Sequence, residues 1–284
     1  MTISCSGHLP YSRIIRSYLL DVLIIALAFC PYFAIERLEP FQRTVYRDDR
    51  AIMFPHKDSE IIPNWALPFF SFVIPVFMIV GWMVVCRFQN KKMVVVFVGL
   101  LLSLAITVET TALIKILVGR LRPDFLARCR PDPSILEHVV CLGAKSKIAE
   151  GRKSFPSGHT SSSFSGLGYA GFFLAGQLGV FDGKNYAYKF IISAIPFGIA
   201  GFVGISRIMD FRHHWSDVLA GALLGLGIAY LCYRMYFPPI MNLGSDKLYE
   251  DRFRQLEEEV NTDTDEAGGD KEAPNTNSAG VYAV

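Results

Sequence analysis

Two adjacent histidines, His213 and His214, stand in the stretch SRIMDFRHHWSDVLAG beside Arg207, Asp210, Arg212 and Asp217. An imidazole can act as nucleophile or proton carrier near neutral pH, and a neighbouring carboxylate fixes its tautomer and raises its basicity. If a helix runs through the histidines to Asp217, His213 is its i−4 neighbour and His214 its i−3 neighbour, so spacing leaves the choice between them open. A second segment, KILVGRLRPDF, carries Lys115 and Arg122 seven residues apart, about two helical turns and nearly one face. Pro123 puts Arg122 at or near the end of that helix. In a third, FPSGHTSSSF, Ser157 can cap a helix and Gly158 lets a ligand approach the backbone. The N–H groups that follow form an anion site with His159 at its mouth. Each segment alone has an ordinary explanation: cations snorkelling to headgroups, a plain cap, a solvated histidine. Together they supply three cations (Lys115, Arg122 and Arg207), a helix-end cradle and two histidines. Three cations repel one another at close range unless an anion lies between them, which fits a multiply charged phosphate better than a carboxylate or a neutral ligand. A metal centre fits less well, since few carboxylates accompany these groups and no H-E-x-x-H pattern occurs.

The elements that must position these groups are membrane spans. The chain has 284 residues, 51% of them hydrophobic, and its mean hydropathy of +0.32 is too apolar for an average soluble domain. Apolar runs at 17–35, 64–86, 93–119, 159–181, 188–206 and 216–237 are each about long enough to cross a hydrocarbon core. Inside lipid such runs must satisfy their own backbone groups, so the expectation is an all-α polytopic membrane protein with six transmembrane helices. The first run follows a long polar leader with no small-residue cleavage site and is expected to be a retained anchor. Small residues in SSSFSGLGYAG and AGALLGLG, the latter with Gly221 and Gly225 at G-x-x-x-G spacing, predict close helix contacts and a compact bundle. The chain thus divides into a short cytoplasmic segment (1–16), a membrane domain (17–237) with loops at 120–158 and 207–215, and an acidic, largely disordered cytoplasmic tail (238–284).

Six spans put loops 36–63, 120–158 and 207–215 on one side and both termini on the other. The loop RFQNKK has three basic residues and no acid, which favours the cytoplasm for it and for the termini. The three polar clusters then meet at the extracytoplasmic membrane face. A net charge of +2 argues against nucleic acid as a partner. Cys129 and Cys141 share one polar loop and form a disulfide if that loop faces an oxidising compartment. Glu109, within the third span, has no partner that spacing identifies. Arg128, Arg130, Lys145, Lys147, Arg152 and Lys153 read as a solvated basic loop.

The ordered pattern K-x6-R-P, P-S-G-H, S-R-x5-H-x3-D resembles the three-part motif of the type 2 phosphatidic acid phosphatase superfamily, the lipid phosphate phosphatases. Here it reads Lys115 to Arg122-Pro123, Pro156-Ser157-Gly158-His159, and Ser206-Arg207 to His213 and Asp217, with no motif position altered. GRLRPDFLARC and YFPP look most like the fungal diacylglycerol pyrophosphate phosphatases. The resemblance implies His213 as nucleophile, Asp217 as its orienting partner and His159 as general acid. It implies Lys115, Arg122, Arg207, Ser157 and the Gly158 N–H as holders of the phosphate oxygens. His214 is left without a role. It also implies a phosphohistidine intermediate with no metal or other cofactor. The substrates implied are diacylglycerol pyrophosphate, phosphatidate and related lipid phosphates, in an endomembrane (vacuole, ER or Golgi) or plasma membrane, with the site facing the lumen or exterior. Alternatives are a polyprenyl pyrophosphate or other phosphomonoester phosphatase of the same superfamily, or a catalytically silent lipid-binding relative. The silent relative would show replaced motif residues. A transporter would show repeated halves, which the chain lacks.

Overall fold

The computed structural model describes residues 11–86, 90–135, 139–184, 186–242 and 244–249; residues 1–10 and 250–284, including most of the expected tail, lie outside them. Helix α1 (Tyr11–Ala28) and the short α2 (Cys30–Ile35) are followed by an irregular stretch with a 3-10 turn at Arg50–Ile52. A second 3-10 turn (Asn64–Ala66) and a π turn (Phe69–Val73) lead into α3 (Ile74–Val85). The longest helix, α4 (Asn90–Val118), is followed by α5 (Phe125–Cys129) and α6 (Lys145–Gly151), both within the large polar loop. Helices α7 (Gly158–Leu178), α8 (Ala187–Met209) and α9 (Trp215–Tyr236) complete the bundle.

Among the described residues, five stretches are long and apolar enough to cross a membrane: Tyr18–Ile35, Asn64–Val85, Met93–Val118, Ala187–Met209 and Trp215–Tyr236. The sixth expected span, at 159–181, is helical as α7 but does not share that character. Serine and glycine replace the leucine and valine of its neighbours, and sixteen of its 21 residues are buried. Helices α3, α4, α8 and α9 pack against it, so protein rather than lipid lines it. Several of its hydroxyls find partners on α4. Ser161 shares a hydrogen bond of 2.8 Å with Thr111 of α4, while Ser165 pairs with Ser103 at 2.7 Å and accepts from Thr107 at 3.0 Å. Buried hydroxyls of this kind are stable only in pairs.

The small residues of α9 face α7. A Cβ added at Gly225 would lie 2.3 Å from the carbonyl oxygen of Ser161, and one at Gly221 would lie 2.7 Å from that of Ser157. Away from this polar end, a hydrophobic core of Ile79, Val95, Leu100, Tyr169, Phe173 and Tyr233 holds α3, α4, α7 and α9 together. Within the expected tail, the segment 244–249 packs on the bundle. Leu248 is buried in the core, and Ser245 donates to the carbonyl of Gly176 at 3.1 Å.

One boundary differs from expectation in a way that matters to the site. Helix α4 stops at Val118, four residues before Arg122, because Gly119 takes a left-handed conformation (φ +57°) and a Cβ there would sit 2.0 Å from the carbonyl oxygen of Phe41. Arg122 therefore reaches the site from a turn, where its N–H donates to Gly151 at 2.8 Å, and not from two turns further along the face of Lys115.

Candidate active site

Loop 36–63, the C-terminal end of α4, the polar loop before α7, the first turn of α7, the end of α8 and the 210–214 connection converge on one cavity of about 580 Å³. Lys115, Arg122, Gly158, His159, Arg207 and His213 line it. Ser157 and Asp217, also expected at the site, lie behind its wall. Ser157 caps α7: its hydroxyl oxygen accepts from the Thr160 hydroxyl at 2.9 Å, and its backbone N–H donates to the Asp217 carbonyl at 3.0 Å. Glu109 is half-buried on α4 and is not among the lining residues.

The histidine pair separates by geometry. His213 lies 3% exposed in the connection before α9, and its Nδ1 is 2.7 Å from the backbone carbonyl oxygen of Ser154. A carbonyl only accepts, so Nδ1 carries the hydrogen and the neutral ring keeps its lone pair on Nε2. Burial pushes the His213 pKa down to about 3; the charges of Arg122 and Lys115 press the same way, while Asp217 opposes them. His214 has a different part. It stands at the N-cap of α9, its N–H donating to Asp217 Oδ2 at 2.9 Å and its Nε2 donating to the Leu121 carbonyl at 3.1 Å.

Asp217 is the hub behind His213. It sits in the first turn of α9 and is fully buried. Its Oδ1 accepts from Arg120 at 2.6 Å; its Oδ2 accepts from the Ser154 hydroxyl at 2.6 Å and lies 3.7 Å from His213 Nδ1. The imidazole Nδ1–H thus donates to the Ser154 carbonyl, and the carboxylate acts at one remove, through the Ser154 hydroxyl and through charge. Neither Ser154 nor Arg120 stands out in the sequence, although Arg120 lies two residues before Arg122 and Ser154 two before Pro156.

Around His213 the cavity gathers more cations than the motif supplies. Arg128, Lys147, Lys153 and Arg212 line it too, so part of the loop read as solvated is site wall; Arg128 and Lys153 are buried. Three carboxylates sit among them. Glu150 accepts from Arg122, Lys153 donates to Glu36 Oε2 at 3.1 Å, and Glu60 bridges Arg207 (2.8 Å) and Arg212 (3.0 Å) with its two oxygens. Enclosure would raise the Glu150 pKa, but Arg122, Lys115 and Lys153 outweigh it and hold the carboxyl at about 2. Four buried nitrogens of lining residues still have no hydrogen-bond partner: His159 Nε2, Arg122 Nε, Arg128 Nη2 and Arg212 Nε. Buried polar groups without partners are costly, and all four belong to residues that line this cavity, which fits an acceptor-rich anion there.

Comparison with known proteins points the same way. Residues 96–240 match the family model described as PAP2 superfamily. The chain is 40% identical to Lipid phosphate phosphatase 2 of Arabidopsis thaliana, covering 79% of this chain and 79% of that protein. It is 36% identical to the Probable diacylglycerol pyrophosphate phosphatase 1 of Schizosaccharomyces pombe over 81% of this chain and 85% of that protein. Diacylglycerol pyrophosphate phosphatase 1 of Saccharomyces cerevisiae is 33% identical over 84% and 87% respectively. With a matching family model, such relatives along most of its length and an unaltered three-part motif, the chain belongs to the PAP2 superfamily.

Proposed function

We propose that the chain hydrolyses lipid phosphates, among them diacylglycerol pyrophosphate, phosphatidate and lysophosphatidate, through a phosphohistidine on His213. The observation that carries this reading is the imidazole of His213, with Nδ1 committed to the Ser154 carbonyl and its Nε2 lone pair left for a cavity lined by Lys115, Arg122, Arg207 and His159. Nε2 attacks phosphorus while the bond from phosphorus to the lipid oxygen breaks. His159 supplies the proton to that departing oxygen. The cations and the Gly158 N–H hold the non-bridging oxygens, and Ser157 shapes that helix end as its cap. These donors stabilise the charge that develops in the transition state. Water then attacks the phosphohistidine, His159 takes the proton, and the P–N bond breaks to release inorganic phosphate.

Leu67, Val108 and Ala112 also line the cavity, and the last two belong to a helix apolar enough to lie in lipid. That apolar wall supports a glycerolipid substrate over a water-soluble ester. The Cys129–Cys141 disulfide lies in the loop that walls the site. A disulfide persists in an oxidising compartment, which supports an active site facing the lumen or exterior of an endomembrane or plasma membrane, with the termini in the cytoplasm. The test is phosphate release from a panel of lipid phosphates in mixed micelles with a chelator present. Turnover of phosphatidate and diacylglycerol pyrophosphate is expected, with an acid-labile phosphoenzyme that His213→Ala abolishes. Release from water-soluble esters alone, or normal turnover by the variant, rejects the reading.

A further inference from the structure

Two of the four unpartnered nitrogens lie outside the motif, on Arg128 of α5 and Arg212 beside His213. Both side chains are more than nine-tenths buried and both line the cavity. They are tied into one network. Asp124, fully buried, accepts from Arg128 Nε at 2.9 Å, lies 3.5 Å from Arg212 Nη1 and is 2.6 Å from His56 Nδ1. Arg212 also donates to the Lys57 carbonyl at 2.8 Å. Burial lowers the Arg128 pKa; Asp124 resists this, and the charges of Arg122 and Arg212 add to it.

Glu60 joins this network to the catalytic one. Its two oxygens are held by Arg207 on one side and Arg212 on the other. One carboxylate therefore spans the gap between a motif arginine and an arginine outside the motif, though it is tethered to loop 36–63. A single phosphate is served by Lys115, Arg122 and Arg207. Two more cavity-lining arginines, each with a buried N–H that no protein group accepts, are more than it needs. Resting on the lipid phosphatase reading, we propose that Arg128 and Arg212 form a second phosphate subsite that takes the inner phosphate of a lipid diphosphate and sets the preference for diphosphate over monophosphate headgroups.

In this arrangement the terminal phosphoryl group lies on Lys115, Arg122 and Arg207 within reach of His213. The inner phosphate, which carries the lipid, lies on Arg128 and Arg212. When the bond from the terminal phosphorus to the bridging oxygen breaks, the bonding pair stays on that oxygen and His159 supplies its proton. The inner group leaves as an ordinary lipid monophosphate. Asp124 keeps the two guanidinium groups from repelling one another while the subsite is empty, and Glu60 withdraws as the diphosphate enters.

The experiment compares kcat/KM for diacylglycerol pyrophosphate and phosphatidate of the same acyl chains, using the full chain in mixed micelles with chelator. Arg128→Gln and Arg212→Gln are each expected to lower the ratio of the two by about ten- to a hundredfold, the worth of a lost charged hydrogen bond. Arg212→Lys, which keeps the charge without the fork, falls between them and the parent. A ratio that stays within twofold, or equal losses on both substrates, overturns the subsite. If the glutamine variants fail to fold because Asp124 is left unpaired, the double variant Arg128→Gln/Asp124→Asn removes the buried pair together, and the same ratio is read. Calorimetric titration with inorganic pyrophosphate and inorganic phosphate decides the subsite apart from turnover. Tighter binding of pyrophosphate that collapses in Arg212→Gln supports it, and equal binding overturns it. Inactivity of the parent chain on both lipids, with that binding difference intact, counts against the lipid phosphatase reading and not against the subsite. Inorganic pyrophosphate cleaved as fast as the lipid overturns the assignment to a headgroup.

Discussion

His213 and His159, the proposed nucleophile and acid, differ in what surrounds their nitrogens. The Ser154 carbonyl fixes the His213 tautomer, whereas His159 Nε2 has no partner until something enters. His159→Ala is expected to slow lipid phosphate hydrolysis by about 10²–10⁴-fold, the range for losing general acid–base help. The loss shrinks for an ester whose leaving group is acidic enough to depart without a proton, and steady-state rates on the two substrate types check this. The lowered His213 pKa of about 3 keeps this imidazole neutral across pH 5–8. The sign for stability follows. Below about 6.5 an unfolded histidine binds a proton that the folded one rejects until about 3, so stability falls as pH drops through that window. His213→Gln should flatten the dependence of the melting temperature in detergent between pH 4 and 7; an unchanged slope would refute the burial argument. At this scale the sequence is readable where a motif concentrates chemistry. Spacing alone leaves His213 and His214 equivalent, because both lie within a turn of Asp217. Ser154 is inconspicuous because its tie to His213 runs through a backbone carbonyl, a group that every residue carries, and its hydroxyl's partner Asp217 lies 63 residues away.

Helix α7 shows how composition and length can disagree. Its length suggests an ordinary span, yet its serines and glycines mark a helix enclosed by other helices, with α9 close enough that Ser161 nearly touches Gly225. Gly225→Val would drive a side chain into that backbone and should destabilise by about 1–3 kcal/mol, read as a lower melting temperature and reduced activity together. Gly227→Ala, with nothing within 4 Å of the added carbon, is the matched control and should be neutral or slightly stabilising. The G-x-x-x-G spacing of α9 is enough to anticipate this contact, since small residues one turn apart leave a groove for a neighbouring backbone. The end of α4 is harder to read. Pro123 is a visible stop, but the helix already ends at Val118, because the left-handed turn at Gly119 packs on Phe41, and no local pattern announces a neighbour that distant.

For the molecule as a whole, loop 36–63 is what the sequence conceals. Glu36, His56 and Glu60 look like solvated loop residues, and their partners Lys153, Asp124 and Arg207 lie far along the chain, beyond the reach of any spacing rule. The polar loop is more legible: Cys129 and Cys141 are visible as a candidate pair, and they are joined across a separation of 12 residues. Closing a loop of that size contributes about 3 kcal/mol in the chain-entropy account. Cys129→Ser/Cys141→Ser should therefore lower the melting temperature, and reductant should do the same to the parent but not to the variant. Loss of activity before loss of helicity on heating would place the weakened region at the site wall. The carboxylates against that wall have a further consequence. Glu36, Glu60 and Glu150 are covalently attached rivals of every anion that enters, always present at the same effective concentration. A departing orthophosphate therefore leaves no naked charge behind it, and turnover is protected from product that would otherwise cling to so basic a chamber.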